Sequence, residues 1–124
     1  MSYARRLTIA VTTAADGSAT AYSDHIVYGM VSQIRYVKTD FADGVDFTIT
    51  AEATGEALWA ENDVNASTVR APRQATHTTA GAAALYASGG AAVLAPIVIA
   101  NDRIKVVIAS GGDTKAGVFH VVLA

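Results

Sequence analysis

Val45, Phe47, Ile49 and Ala51 take every second place of a run whose other places are Asp46, Thr48, Thr50 and Glu52. A period of two puts one set on each face of a pleated strand, whereas a helix would scatter both sets around its axis. Leu7, Ile9 and Val11 alternate with Thr8, Ala10 and Thr12 in the same way. Ile104, Val106 and Ile108, and then Phe119, Val121 and Leu123, repeat the pattern towards the C-terminal end. Between these runs there is no helical pattern of the ~10–15 residues that parallel βαβ units require. Composition agrees: Val and Ile together number 22 against 5 Leu, and 13 Thr add to the β-branched total. Branching at Cβ suits a half-buried pleated surface better than a helix. With 124 residues the chain has the length of one domain.

Turn chemistry divides the runs. Ala15–Ser18, Asp43-Gly44, Thr54-Gly55 and Ser110–Lys115 each join residues that tolerate a reversal. A long extended segment from Ile26 to Lys38 is interrupted by Gly29, the mark of a bulge or a close backbone approach. Within it Ile26, Tyr28, Met30, Ile34 and Tyr36 fall on one face and Gln33 and Arg35 on the other. Further strands are expected at Ala57–Glu61 and Ile97–Ile99. From about residue 62 to 96 the periodicity dissolves into turn residues, Pro72 and an Ala/Gly-rich stretch, with a short helix possible over Ala82–Ala87. So long an irregular connection is uncommon in a compact domain and often functional. The expected architecture is an all-β, single-domain antiparallel β-sandwich or small barrel, jelly-roll-like, over residues 1–124, with an irregular Ala/Gly-rich arm at about 62–96. The last strand, Gly117–Leu123, is expected on a sheet edge, where it could pair with a neighbouring subunit.

Most catalytic and cofactor chemistry lacks its residues. There is no cysteine, hence no disulfide framework or thiolate site. A net charge of −2 offers no basic footprint for nucleic acid. The longest apolar run falls short of a membrane span, and the start, with Arg5 and Arg6 leading into an alternating strand, does not read as a signal peptide. His25, His77 and His120 stand far apart, without the spacing of a metal site. Asp40, Asp43 and Asp46 lie near one turn but do not follow a calcium-loop pattern, and a solvated turn-rich edge accounts for them. Ser88-Gly89-Gly90 and Ser110-Gly111-Gly112 match neither a nucleophile elbow nor a phosphate loop. Arg70-Ala71-Pro72-Arg73 is the one concentrated basic spot, and arginine forks match carboxylates at a protein interface as readily as phosphates. The expectation is a binding or assembly protein without catalytic, cofactor or metal residues.

A resemblance sharpens this. Gly29–Val37, Val45–Gly55, Asn65-Ala66-Ser67, Arg70–His77, Tyr86–Gly90, Asp102–Ala109 and Gly111–Val121 together make the chain similar to a group of small virion proteins of tailed bacteriophages, encoded among the head and neck morphogenesis genes. The likeness runs roughly from residue 5 to the end. It implies a structural part of the virion, assembled in the host cytoplasm, with no enzymatic residue to carry over. The reading preferred is a capsid decoration or cement protein, a homo-oligomer clamping major capsid subunits. The alternative is a neck, head–tail connector or tail ring component. Arg70, Arg73, His77, Tyr86 and His120 are the expected protein-interface residues, and neither nucleic acid nor membrane is expected as a partner. A third possibility is a carbohydrate-binding or glycan-cleaving β domain using Trp59, Tyr36 and Tyr86 as sugar platforms, with Glu52 and Glu56 as paired carboxylates.

Overall fold

The computed structural model describes residues 4–124. It is all-β, with about 60% of residues in strands and no helix, and its strands form two antiparallel sheets. In chain order the strands are β1 (Arg5–Thr12), β2 (Ala19–Tyr22), β3 (Val27–Lys38), β4 (Val45–Ala51), β5 (Ala57–Val64), β6 (Thr68–Arg70), β7 (Arg73–Ala75), β8 (Leu94–Asp102), β9 (Ile104–Ala109) and β10 (Ala116–Leu123). The larger sheet runs β1-β10-β3-β8-β7, with β6 also paired to β3, and the smaller runs β2-β9-β4-β5. Two separate sheets make this a sandwich rather than a closed barrel.

Every alternation read above has one buried face. Ile9 and Val11, Val45, Phe47 and Ile49, Ile104, Val106 and Ile108, and Phe119, Val121 and Leu123 all point between the sheets. Aromatic rings fill the centre: Tyr36 lies 5.2 Å from Phe119 and 5.3 Å from Phe47, and Phe47 meets Trp59 edge-on at 4.7 Å. Such pairs add about 1 kcal/mol each beyond the area they bury. Phe41 lies flat over Gly117, so that a methyl group there would overlap its ring. A central strand otherwise has little use for glycine, and this contact is the reason for it.

Among the described residues three polar ones, Thr13, Ser23 and Asp102, are buried, and each bonds backbone. The Thr13 hydroxyl donates to Gly112 O at 2.6 Å and accepts from Lys115 N–H at 2.8 Å. Ser23 Oγ donates to His25 O and accepts from Ile104 N–H. The Asp102 carboxylate accepts N–H bonds from Ala53 and Arg103. These bonds pin loops between distant strands, which is why polar side chains persist at buried positions.

Three expectations change. β3 does not keep one phase: Val122 faces Gln33 but Leu123 faces Val31, so Ser32 is an extra residue. The bulge turns Val27 and Val31 inward with Ile34 and Tyr36, and leaves Ile26, Tyr28 and Met30 exposed. Gly29 is both things expected of it. Register against β8 shifts beside it, and at φ +133° its missing side chain leaves room for Ala124 O. The last strand is not an edge, because β10 lies between β1 and β3 and its backbone groups are used on both sides. The irregular arm is also shorter than residues 62–96. β5 continues to Val64, β6, β7 and the start of β8 lie within that range, and Ala82–Ala87 is not helical.

Candidate functional site

Between β7 and β8 the chain leaves the sandwich. Thr76 N–H bonds Val93 O, Ala84 N–H bonds Thr76 O and Val93 N–H bonds Ala84 O, each at 2.9–3.0 Å. With bridges His77–Ala83 and Leu85–Ala92, these bonds fold residues 76–93 into a small meander with turns at Thr78–Gly81 and Ala87–Gly90. From Arg73 to Ala91 every residue except Thr76 and Ala84 is exposed. The arm therefore projects rather than packing on its own sheet. No Asp, Glu, Lys or Arg occurs from Gln74 to Asn101. An exposed segment so long without charge depends little on solvated side chains for its shape and suits contact with another surface.

Beside the arm lies the outer face of the larger sheet. Cross-strand register places Thr8, His120, Arg35 and Val69 in one row, Arg6, Val122 and Gln33 in a second, and Ala10, Val118 and Val37 in a third. Past the bulge, Met30 pairs with Val98, Pro96 with Arg73 and Leu94 with Ala75. Tyr28, Met30, Leu94 and Val98 are all large, apolar and exposed, Val98 at 57%. Among the described residues none covers them. Exposed apolar side chains beside arginines on one sheet face suit contact with another protein surface.

The five expected interface residues fall in three places. Arg73 and His120 lie on this outer face; Arg73 Nη1 donates to Ser32 O, and His120 Nδ1 lies 3.2 Å from Thr8 Oγ1. His77 and Tyr86 belong to the arm, with Tyr86 76% exposed. Arg70 is elsewhere and already engaged. Its Nε and Nη2 form a fork on Glu61, each at 2.9 Å, its Nη1 donates to Thr68 Oγ1, and its guanidinium lies 5.8 Å from the Trp59 ring centre. This clasp ties β6 of the larger sheet to β5 of the smaller. The Trp59 indole N–H also donates to Glu61, and that bond, with Arg70, holds the Glu61 carboxyl below its usual value.

Sequence reading missed Arg6, Arg35, Tyr28, Met30 and Val98. Arg35 carried a signal, since it alternates with two core residues, Ile34 and Tyr36. Met30 and Tyr28 did not, because the bulge reverses the phase that places them.

Other candidate chemistries find little geometry. Among the described residues no three of His, Asp and Glu converge to hold a metal. Glu52 is held by a two-point fork from Arg103, whose guanidinium also stacks 4.3 Å from the Tyr22 ring centre. That fork holds the Glu52 carboxyl below its usual range, the reverse of what a general acid needs. Of the three sugar platforms considered, Tyr36 and Trp59 are core residues and Tyr86 alone is exposed. A shallow cavity of about 130 Å³ lies at the start of β1 and β3, against Arg5, His25, Ile26 and Leu123. No protein-family model matches the chain, and no curated protein matches it.

Proposed function

We propose that this protein is a non-catalytic structural subunit of a tailed-phage virion, most simply a decoration protein that adheres to the major capsid shell. The observation that carries the assembly reading is the pairing of a projecting, uncharged arm with an uncovered apolar and arginine-bearing sheet face. The virion assignment draws on the resemblance of the segments named above. A rigid sandwich holds both surfaces in fixed relation, so that many modest contacts with an ordered lattice sum to firm attachment without any one being strong. Arg73, at the root of the arm on that face, is the residue expected to reach a carboxylate of the neighbour.

The test is the number of copies per purified virion, measured by quantitative mass spectrometry against the major capsid protein. On the order of hundreds is the shell outcome, and about a dozen or fewer is the ring outcome expected of a neck or tail component. Absence from the particle overturns the virion reading. Arg73→Glu is expected to reduce the copies retained while leaving the isolated domain folded; unchanged retention would remove Arg73 from the contact. The connector-ring reading is favoured by one observation, the separation of an arginine-bearing sheet face from an aspartate-rich loop end.

A further inference from the structure

We infer that copies of this chain associate head to tail, the acidic loop end of one docking on the arginine-bearing outer face of the larger sheet of the next. The inference rests on the assembly reading only in using the same face; it names the occupant of that face as a second copy and leaves the arm as the surface for the shell.

The face lacks its counter-charges. Arg6, Arg35 and Arg73 lie on it with His120, and among the described residues none of the three arginines is in an ion pair. The strands of this sheet contain a single carboxylate, Asp102, which is buried at the end of β8 and taken up by backbone N–H groups. Guanidinium groups without carboxylates, set among Val122, Met30 and Val98, are poised for a partner that is acidic where it meets them.

The chain itself supplies such a surface. The loops β1–β2, β3–β4, β5–β6 and β9–β10 meet at one end of the sandwich. Ala42 N–H bonds Gly111 O, Gly111 N–H bonds Gly17 O, and Gly44 N–H bonds Asn65 Oδ1, at 2.7–2.9 Å. This end gathers Asp16, Asp40, Asp43, Asp46, Asp63 and Asp113 against only Lys38 and Lys115. Lys38 is paired with Asp43, which leaves an excess of carboxylates over cations at this end.

The acidic end and the basic face share no residue, and a contact that uses one of them on each copy is heterologous. It passes from copy to copy, making a ring where the rotation closes and a filament where it does not. Face-to-face pairing would instead set arginine against arginine.

Sedimentation velocity of the full chain tests this over a range of concentration, at ~0.05 and ~0.5 M salt. The expected result is concentration-dependent association at low salt that falls away at high salt. Arg35→Glu with Arg73→Glu reverses the face, and Asp43→Lys with Asp113→Lys reverses the end. Each variant alone should be monomeric while keeping the wild-type circular dichroism, and mixing the two should restore association. Persistence of association in the end-reversed variant overturns the inference, because that variant keeps its faces intact. So does a mixture of folded variants that stays monomeric. A wild-type chain that is monomeric throughout also overturns it and hands the face to a different acidic protein. That last outcome leaves the virion reading standing if copies are still counted in particles. A self-associating chain absent from particles does the reverse.

Discussion

Tyr36 shows how one residue serves the core and is constrained by it. Its ring stacks on Phe119 and Phe41, yet its hydroxyl is buried without a hydrogen-bond partner among the described residues. An unpartnered buried hydroxyl costs roughly 1–3 kcal/mol. Burial, and secondarily the charge of Asp43, pushes the phenol up to about 12 from 10.0. The folded state therefore favours the neutral phenol. Its contribution to stability is complete below pH 10 and is lost as pH rises through about 12. Tyr36→Phe keeps the ring and removes both effects. It should match or exceed wild-type stability at neutral pH and lose less stability between pH 10 and 12, read by denaturant unfolding. A variant markedly less stable at neutral pH would mean the hydroxyl has a partner after all. The signal for Tyr36 as core was legible, because it alternates with Arg35; the fate of its hydroxyl was not, since that depends on what β4, β10 and the β3–β4 loop bring near it.

At the scale of elements, the sandwich is held along one side by Glu61 of β5, Arg70 of β6 and Trp59. Arg70 reads in sequence as a basic residue next to Arg73, free for a partner. What separates the two is the crossing between sheets, which brings Glu61 onto Arg70 and leaves Arg73 on the outer face. The Glu61 carboxyl is held below 4.5, first by the indole N–H of Trp59 and then by Arg70. A lowered carboxyl contributes stability that is present above the unfolded value of about 4.5 and lost as pH falls below it. Glu61→Gln should lower the melting temperature at neutral pH and flatten its decline between neutral pH and ~pH 3. An identical acid profile in the variant would show that the clasp does not couple to folding. The pair is partly exposed, so the effect is modest and screened by salt.

For the molecule as a whole, core and arm are separable. The buried residues come from seven of the strands, the Phe41 loop and the loop residues Thr13, Gly17, Ser23 and Gly111, and none lies between Pro72 and Pro96. Replacing residues 77–92 by a short turn, between Thr76 and Val93 whose backbones already bond, removes exposed residues only, apart from half-buried Ala84 and Ala92. The excised chain is expected to melt within about 0.5 kcal/mol of wild type while losing retention on particles. Loss of folding on excision would mean that the arm templates β7 and β8. Charge belongs to this scale as well. A net −2 spread along the sequence looks unremarkable, and only the fold divides it into a basic sheet face and an acidic loop end.

Alternation of β-branched and polar residues sufficed to set the all-β class, most strand positions, the turns and the greater part of the core, because a period of two fixes which side chains share a face. Three decisions belonged to the tertiary structure. The Ser32 bulge chose which half of β3 shows Tyr28 and Met30 to solvent, and a one-residue insertion leaves no periodic trace in a run where both phases are apolar. Strand order put β10 inside its sheet, between β1 and β3, because pairing depends on partners remote in sequence. The gathering of Arg6, Arg35, Arg73 and His120 on one face needed four strands, β1, β3, β7 and β10, to be brought into register, and no local property of any one of them encodes that.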